Sequence, residues 1–263
     1  MKRHHAGWIF RALRGFLRVL SFGYLQVRVE GLEHLPAQGG VLIAGNHPSV
    51  LDGMLLLAVS PRPVRFLVAE DLYNHPLINP FFRAMGCIPV LRRGARNGDA
   101  LHAAVAALEA GEVIGIFPEG TIHRGGSLQE IRPGVALLAL KTGVPVVPLG
   151  IKGTRESFPD GARFPKPGAV CLRFERPRVY PKLPDERLPE RVVSHTLDDI
   201  HQELLSAYRA TSASPRPRPV PRWFRELQIA LTGLVVIPLA GLLTLTAHPS
   251  LDSVKLGTQG AQR

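Results

Sequence analysis

The chain has 263 residues, enough to bury one sizeable core, and its apolar segments are spread evenly up to about residue 208, which points to one main domain with appendages. A formal net charge of +11, a pI near 10.4 and a mean hydropathy of +0.09 are far from those of an acidic, fully solvated enzyme. They demand an anionic partner: nucleic acid, an acidic substrate or an anionic membrane surface. Cys87 and Cys171 stand far apart with no C-x-x-C, so neither a redox motif nor a cysteine metal site is suggested, and a reducing cytosolic setting fits.

Residues 1–23 open with Met1-Lys2-Arg3 and continue as apolar residues interrupted by arginines, without the clean apolar stretch of a secretory signal. On a helical wheel Ile9, Leu13, Phe16 and Leu20 fall on one side, and Arg11, Arg14 and Arg18 opposite. Such a basic amphipathic helix fits packing on the core and equally fits an anionic membrane interface. From Tyr24 to Glu30 the alternation predicts a half-buried strand, and Gly31, Pro36, Gly39 and Gly40 turn it into an aliphatic strand at 41–45. A short helical run over 54–59 ends at Pro61 and Pro63. A buried strand over 64–69, a helix near 76–85 and a strand at 87–91 follow.

Asn97 marks the predicted cap of a helix stopped by Gly111. After it come a strand at 113–117, a helix over 133–142 with Pro133 at its start and Gly143 at its end, and a strand at 146–151. A last strand over 169–174 and an amphipathic helix over 189–209 complete the domain. Strands alternating with helices indicate an α/β sheet with its site at strand ends. Residues 210–226, rich in Pro and Arg, form an extended linker. Residues 227–247 are 21 residues without charge, long enough to cross a bilayer as a helix. Trp223 and Phe224 sit where an aromatic belt belongs, and the arginines before them would keep the domain cytoplasmic. An interfacial or protein-packed helix is the other reading of that segment, and 248–263 is a tail.

The chemistry concentrates after the strand at 41–45, where Asn46-His47-Pro48-Ser49-Val50-Leu51-Asp52 carries a histidine and a carboxylate. Histidine suits proton transfer near neutral pH, and a carboxylate can orient it, so the pair fits a general base with its orienter. Alone, it also fits an ordinary surface turn. Three further stretches follow strands: Gly86 to Arg92-Arg93, whose guanidinium groups suit phosphate; Phe117-Pro118-Glu119-Gly120-Thr121; and Val144-Pro145-Val146-Val147-Pro148, a rigid wall.

In this order and at these separations the four stretches resemble the sequence blocks of the glycerophospholipid acyltransferase superfamily, most closely the 1-acylglycerol-3-phosphate acyltransferases, over about residues 24–208. The first and third blocks are the specific ones. The resemblance implies a mixed, mostly parallel sheet flanked by helices, of the glycerol-3-phosphate acyltransferase type. It implies acyl transfer from acyl-CoA or acyl carrier protein to the hydroxyl of a lysophospholipid, with His47 as general base, Asp52 as its orienter and no acyl-enzyme. Asn46, Arg92, Glu119, Gly120, Thr121 and Arg124 are then the candidates for holding the acceptor. Glu119 cannot itself attract phosphate, so a hydroxyl or an arginine is its expected partner. Where the family often has Arg directly after Gly-Thr, this chain has Ile122 and His123, with Arg124 as the next cation. That departure leaves the acceptor open between lysophosphatidic acid and another lysolipid.

Other chemistries lack their residues. No Gly-x-Ser-x-Gly marks a serine hydrolase, no His-Glu-x-x-His a zinc enzyme, and the reading requires neither metal nor cofactor. His248 and Asp252 echo the first block but follow no buried strand, and His195 with Asp198 belongs to a solvated helix face. The cations cluster at the N-terminus, after Gly86 and before the apolar segment, which suits an anionic membrane at the cytoplasmic face better than nucleic acid. A non-enzymatic membrane-binding protein that retains the fold is the competing class.

Overall fold

A computed structural model describes residues 8–91, 97–122, 128–159, 162, 164–184 and 188–212. In chain order the elements are α1 (Trp8–Val19), β1 (Arg28–Glu30), β2 (Val41–Gly45), α2 (Leu51–Val59), β3 (Val64–Ala69) and α3 (Glu70–Tyr73). Then follow α4 (Asn79–Ala84), β4 (Ile88–Val90), α5 (Gly98–Glu109), β5 (Val113–Ile116) and α6 (Gly134–Thr142). The last are β6 (Val146–Lys152), α7 (Thr154–Ser157), β7 (Cys171–Phe174) and α8 (Glu190–Ala210).

Seven strands form one sheet in the order β1-β7-β6-β2-β5-β3-β4, parallel throughout except for the antiparallel pairing of β6 with β7. The expected mixed, mostly parallel α/β sheet is thus observed. Central β2 shows why its sequence is an unbroken aliphatic run. Val41 and Ile43 point into a core shared with Leu51, Leu55 and Leu172, while Leu42 and Ala44 enter a second core with Ile114, Leu138 and Leu204. Both faces are covered, so no position on this strand can be polar.

Several boundaries differ from the sequence reading for identifiable reasons. The chain after α1 continues through one wide turn, Leu20–Tyr24, closed by the Leu25 N–H donating to the Leu20 carbonyl at 3.0 Å. Gln26 then takes φ +50°, so Tyr24, Leu25 and Val27 are all buried and only 28–30 pair as a strand. Arg14, placed by the wheel on the outer face, donates instead to the Ser60 carbonyl at the end of α2, where a cation meets the negative end of that helix. Asn97 does not cap α5 through its side chain: its Oδ1 accepts from the Leu91 N–H at 2.8 Å and its Nδ2 donates to the Leu91 carbonyl at 3.0 Å. The predicted helix near 76–85 is the shorter α4, and α3 and α7 have no counterpart in the periodicity.

No helix among the described residues is long and apolar enough to cross a membrane. The linker beyond residue 212, the apolar segment 227–247 and the tail lie outside the described residues.

Candidate active site

Because β5, β2 and β6 are parallel neighbours, their C-terminal ends open on one edge of the sheet. The turn after β2 delivers His47, the turn after β5 delivers Phe117 to Thr121, and the end of β6 leads into Thr154. The edge of an open parallel sheet is where backbone diverges and a crevice forms.

Asn46 locks two of these ends together. Its Nδ2 donates to the Ile151 carbonyl at 2.9 Å and its Oδ1 accepts from the Ile151 N–H at 2.7 Å, so the buried amide extends the β2–β6 pairing by a side-chain rung. The amide expected to face substrate is therefore occupied by backbone. His47 follows, and its Nδ1 lies 2.8 Å from Asp52 Oδ2, which also accepts the Ser49 N–H at 2.7 Å. With Asp52 ionised, Nδ1–H is the donor and Nε2 is left to accept a proton. Phe117 stacks on the imidazole with ring centroids 4.2 Å apart and planes 12° from parallel, and Phe66 stacks on Phe117 in turn. Ring tilt and tautomer of His47 are thus both held.

Asp52 is completely buried in the first turn of α2. Burial pushes its carboxyl above the usual range, opposed by hydrogen bonding from His47, the Ser49 amide and Thr154. Glu119, also buried, turns inward: its Oε1 accepts the His47 backbone N–H at 2.9 Å and its Oε2 accepts from the Gln129 N–H at 3.4 Å. It braces the histidine turn from behind. Gly120 takes φ +72°, and the Arg132 guanidinium lies where a Cβ would stand, so only glycine fits there.

His47 opens on a cavity of about 780 Å3 whose walls are largely apolar, including Met54, Leu57, Val68, Phe82 and Met85. That volume lies within the roughly 300–1,000 Å3 of ordinary small-molecule sites. Gly120, Thr121 and Ile122 line it too, together with Arg132 and Arg155. The sequence reading missed both arginines. Neither lies in a motif, and each reaches the cavity through the tertiary path of its loop. Arg92 and Arg124, the cations it favoured, lie outside the described residues. Cys87 also lines the cavity, but burial pushes its thiol up to about 11, so it is no thiolate nucleophile near neutral pH. Among the described residues no group of His, Cys, Asp and Glu is placed to hold a metal ion.

The model of the acyltransferase family matches residues 26–152, which hold all four sequence blocks. A 1-acyl-sn-glycerol-3-phosphate acyltransferase of Borreliella burgdorferi is 33% identical over 151 residues, 57% of this chain and 60% of that protein. The crystal structure of the 1-acyl-sn-glycerophosphate acyltransferase PlsC of Thermotoga maritima superposes with a TM-score of 0.58 at 28% identity, covering 76% of this chain and 79% of that one. These comparisons support the glycerophospholipid acyltransferase superfamily, the resemblance that the four blocks carry. A chloroplastic 1-acyl-sn-glycerol-3-phosphate acyltransferase of Arabidopsis thaliana is 32% identical over 54% of the chain and 40% of its own length. The similarity to these two sequence relatives thus spans less than two thirds of either. Within the superfamily fold, the His47–Asp52 pair sits at the β2 end and the Glu119 turn at the β5 end.

Proposed function

We propose that this acyltransferase moves a fatty acyl group from a thioester, acyl-CoA or acyl carrier protein, to the free hydroxyl of a lysophospholipid, with 1-acylglycerol-3-phosphate the favoured acceptor. The observation that carries the reading is the His47–Asp52 contact of 2.8 Å at the mouth of a mostly apolar cavity. In this mechanism His47 Nε2 takes the proton of the acceptor hydroxyl as its oxygen attacks the thioester carbonyl. The tetrahedral intermediate collapses as the C–S bond breaks, an ester is left, and the departing sulfur takes the proton back from the imidazolium. Asp52 stabilises that imidazolium and holds its tautomer.

The remaining site residues take supporting roles. Asn46 and Glu119 hold the histidine turn through their backbone contacts, and Gly120 makes room for Arg132. Arg132 and Arg155 are the cations for the acceptor's phosphate, and Thr121 offers a hydroxyl in the same cavity; Arg92 and Arg124 stay candidates from the sequence. Relatives named for 1-acyl-sn-glycerol-3-phosphate support this acceptor. Ile122 at the position where the family often carries Arg makes another lysolipid the second reading.

The membrane partner has its own support. Val19 at the end of α1 and Phe22 in the turn after it are 56% and 47% exposed, and Leu77 between α3 and α4 is 72% exposed. Apolar side chains held out in a chain of +11 suit an anionic lipid surface that also supplies the acceptor.

The test is release of free thiol from long-chain acyl-CoA with lysophosphatidic acid, for the wild type and His47→Ala. Thiol release in the wild type and its loss in the variant is the expected result. Equal release by both would overturn the assignment, and vesicle binding without release would make the chain a membrane tether. An acceptor screen with one donor then separates lysophosphatidic acid from other lysolipids.

A further inference from the structure

Asp52 presents two oxygens to the protein, and the mechanism above uses one. Oδ2 accepts from His47 Nδ1 and from the Ser49 N–H, whereas Oδ1 is sealed from solvent and has no close partner. A buried carboxylate oxygen without a donor is costly and favours the protonated acid. A protonated Asp52 would not stabilise the imidazolium.

One other buried polar atom nearby is in the same condition. The Thr154 hydroxyl is fully buried, has no close partner, and lies near enough to Asp52 to oppose the upward push of burial on its carboxyl. The two orphans match in kind, a donor and an acceptor, although they do not close a short hydrogen bond in this structure. Thr154 is also held firmly in place. Asn46 ties the end of β6 to the end of β2. Gly153 then turns the chain at φ +86° against the Ala169 carbonyl, where any Cβ would collide. Thr154 is the first residue of α7 after that turn.

We propose that Thr154 is a positioning residue that donates its hydroxyl to Asp52 Oδ1, keeps that carboxylate ionised, and so keeps His47 oriented as a base. This rests on the acyl-transfer reading of the His47–Asp52 pair. The groups that face Asp52 are His47 and the Ser49 N–H from the turn, and Thr154 from α7; of these only the His47 ring is titratable. Glu119 touches the His47 backbone, and Arg132 and Arg155 line the cavity.

The experiment follows thiol release against pH for Thr154→Val, Thr154→Ala and Thr154→Ser. Loss of a donor to the ionised form pushes the carboxyl up further, so the acid limb of kcat moves to higher pH. The valine and alanine variants are expected to lose about tenfold in kcat, the order expected for a hydrogen bond to a charged group, with KM for acyl-CoA near wild type. The serine variant is expected to restore both the rate and the limb. Alanine adds no bulk, so it serves where valine disturbs folding. An unmoved acid limb in a folded valine or alanine variant would overturn the proposal, as would a serine variant that behaves like alanine. Full turnover by His47→Ala in the same assay would instead overturn the reading of the His47–Asp52 pair as the base and its orienter.

Discussion

At the scale of single residues, Asp52 combines two opposed demands. Its burial raises the carboxyl above the ordinary range, so the charged form that the proposed base His47 would need runs against the preference of the fold. The sign follows: above its raised folded value the buried charge lowers stability, and that cost fades as pH falls through the same value. Asp52→Asn is neutral at every pH and nearly isosteric. It is expected to lower kcat on the order of 10² to 10⁴, the scale of a general base contribution, while unfolding at neutral pH at a temperature no lower than wild type. Thermal unfolding beside the thiol assay checks both. A large drop in stability would mean that the carboxylate chiefly braces the turn. Phe117 is the other residue to single out, because its ring stacks on the imidazole. Phe117→Ala leaves the ring free to tilt, and kcat is expected to fall with the acceptor KM changed little.

At the scale of elements, the end of β2 depends on the end of β6. Asn46→Ala removes both hydrogen bonds to Ile151 and leaves its buried N–H and C=O unpaired, at a cost of about 2–4 kcal/mol. Denaturant unfolding should show that loss, and activity should fall with it although the amide touches no substrate in this reading. Helix α1 and the turn after it divide packing from the proposed membrane contact by residue. Leu17 and Leu20 are buried, and truncation to Ala should cost about 2–5 kcal/mol. Val19→Ser and Phe22→Ser change exposed positions, so stability should stay within about 0.5 kcal/mol while binding to anionic vesicles weakens. Equal vesicle binding by the serine variants would remove α1 from the membrane contact.

At the scale of the whole molecule, the charge of +11 bears on the proposed membrane partner. Binding to anionic vesicles should fall steeply between roughly 0.1 and 1 M salt, as the Debye length shrinks from about 10 to about 3 Å, and duplex DNA at matched salt should compete poorly. Salt-independent vesicle binding would mean that apolar insertion dominates.

Much of this molecule was legible in the chain itself. Central strands buried on both faces must be apolar almost throughout, so β2, β5 and β6 stood out, and a histidine two residues past the end of β2 could not hide. His47, Asp52 and the Glu119 turn stood out because their residue types are those that proton transfer and tight turns favour, and the structure brings them to neighbouring strand ends. The direction in which polar side chains point was not legible. Asn46 and Glu119 face backbone, Arg14 seeks the end of α2, and Arg132, Arg155 and Thr154 arrive at the site from loops with no motif. Local pattern determines which segments must be buried, since burial acts on every residue of an element. Which buried polar atoms meet is decided only by the sheet order, because β2, β5 and β6 are distant in sequence and become neighbours through pairing.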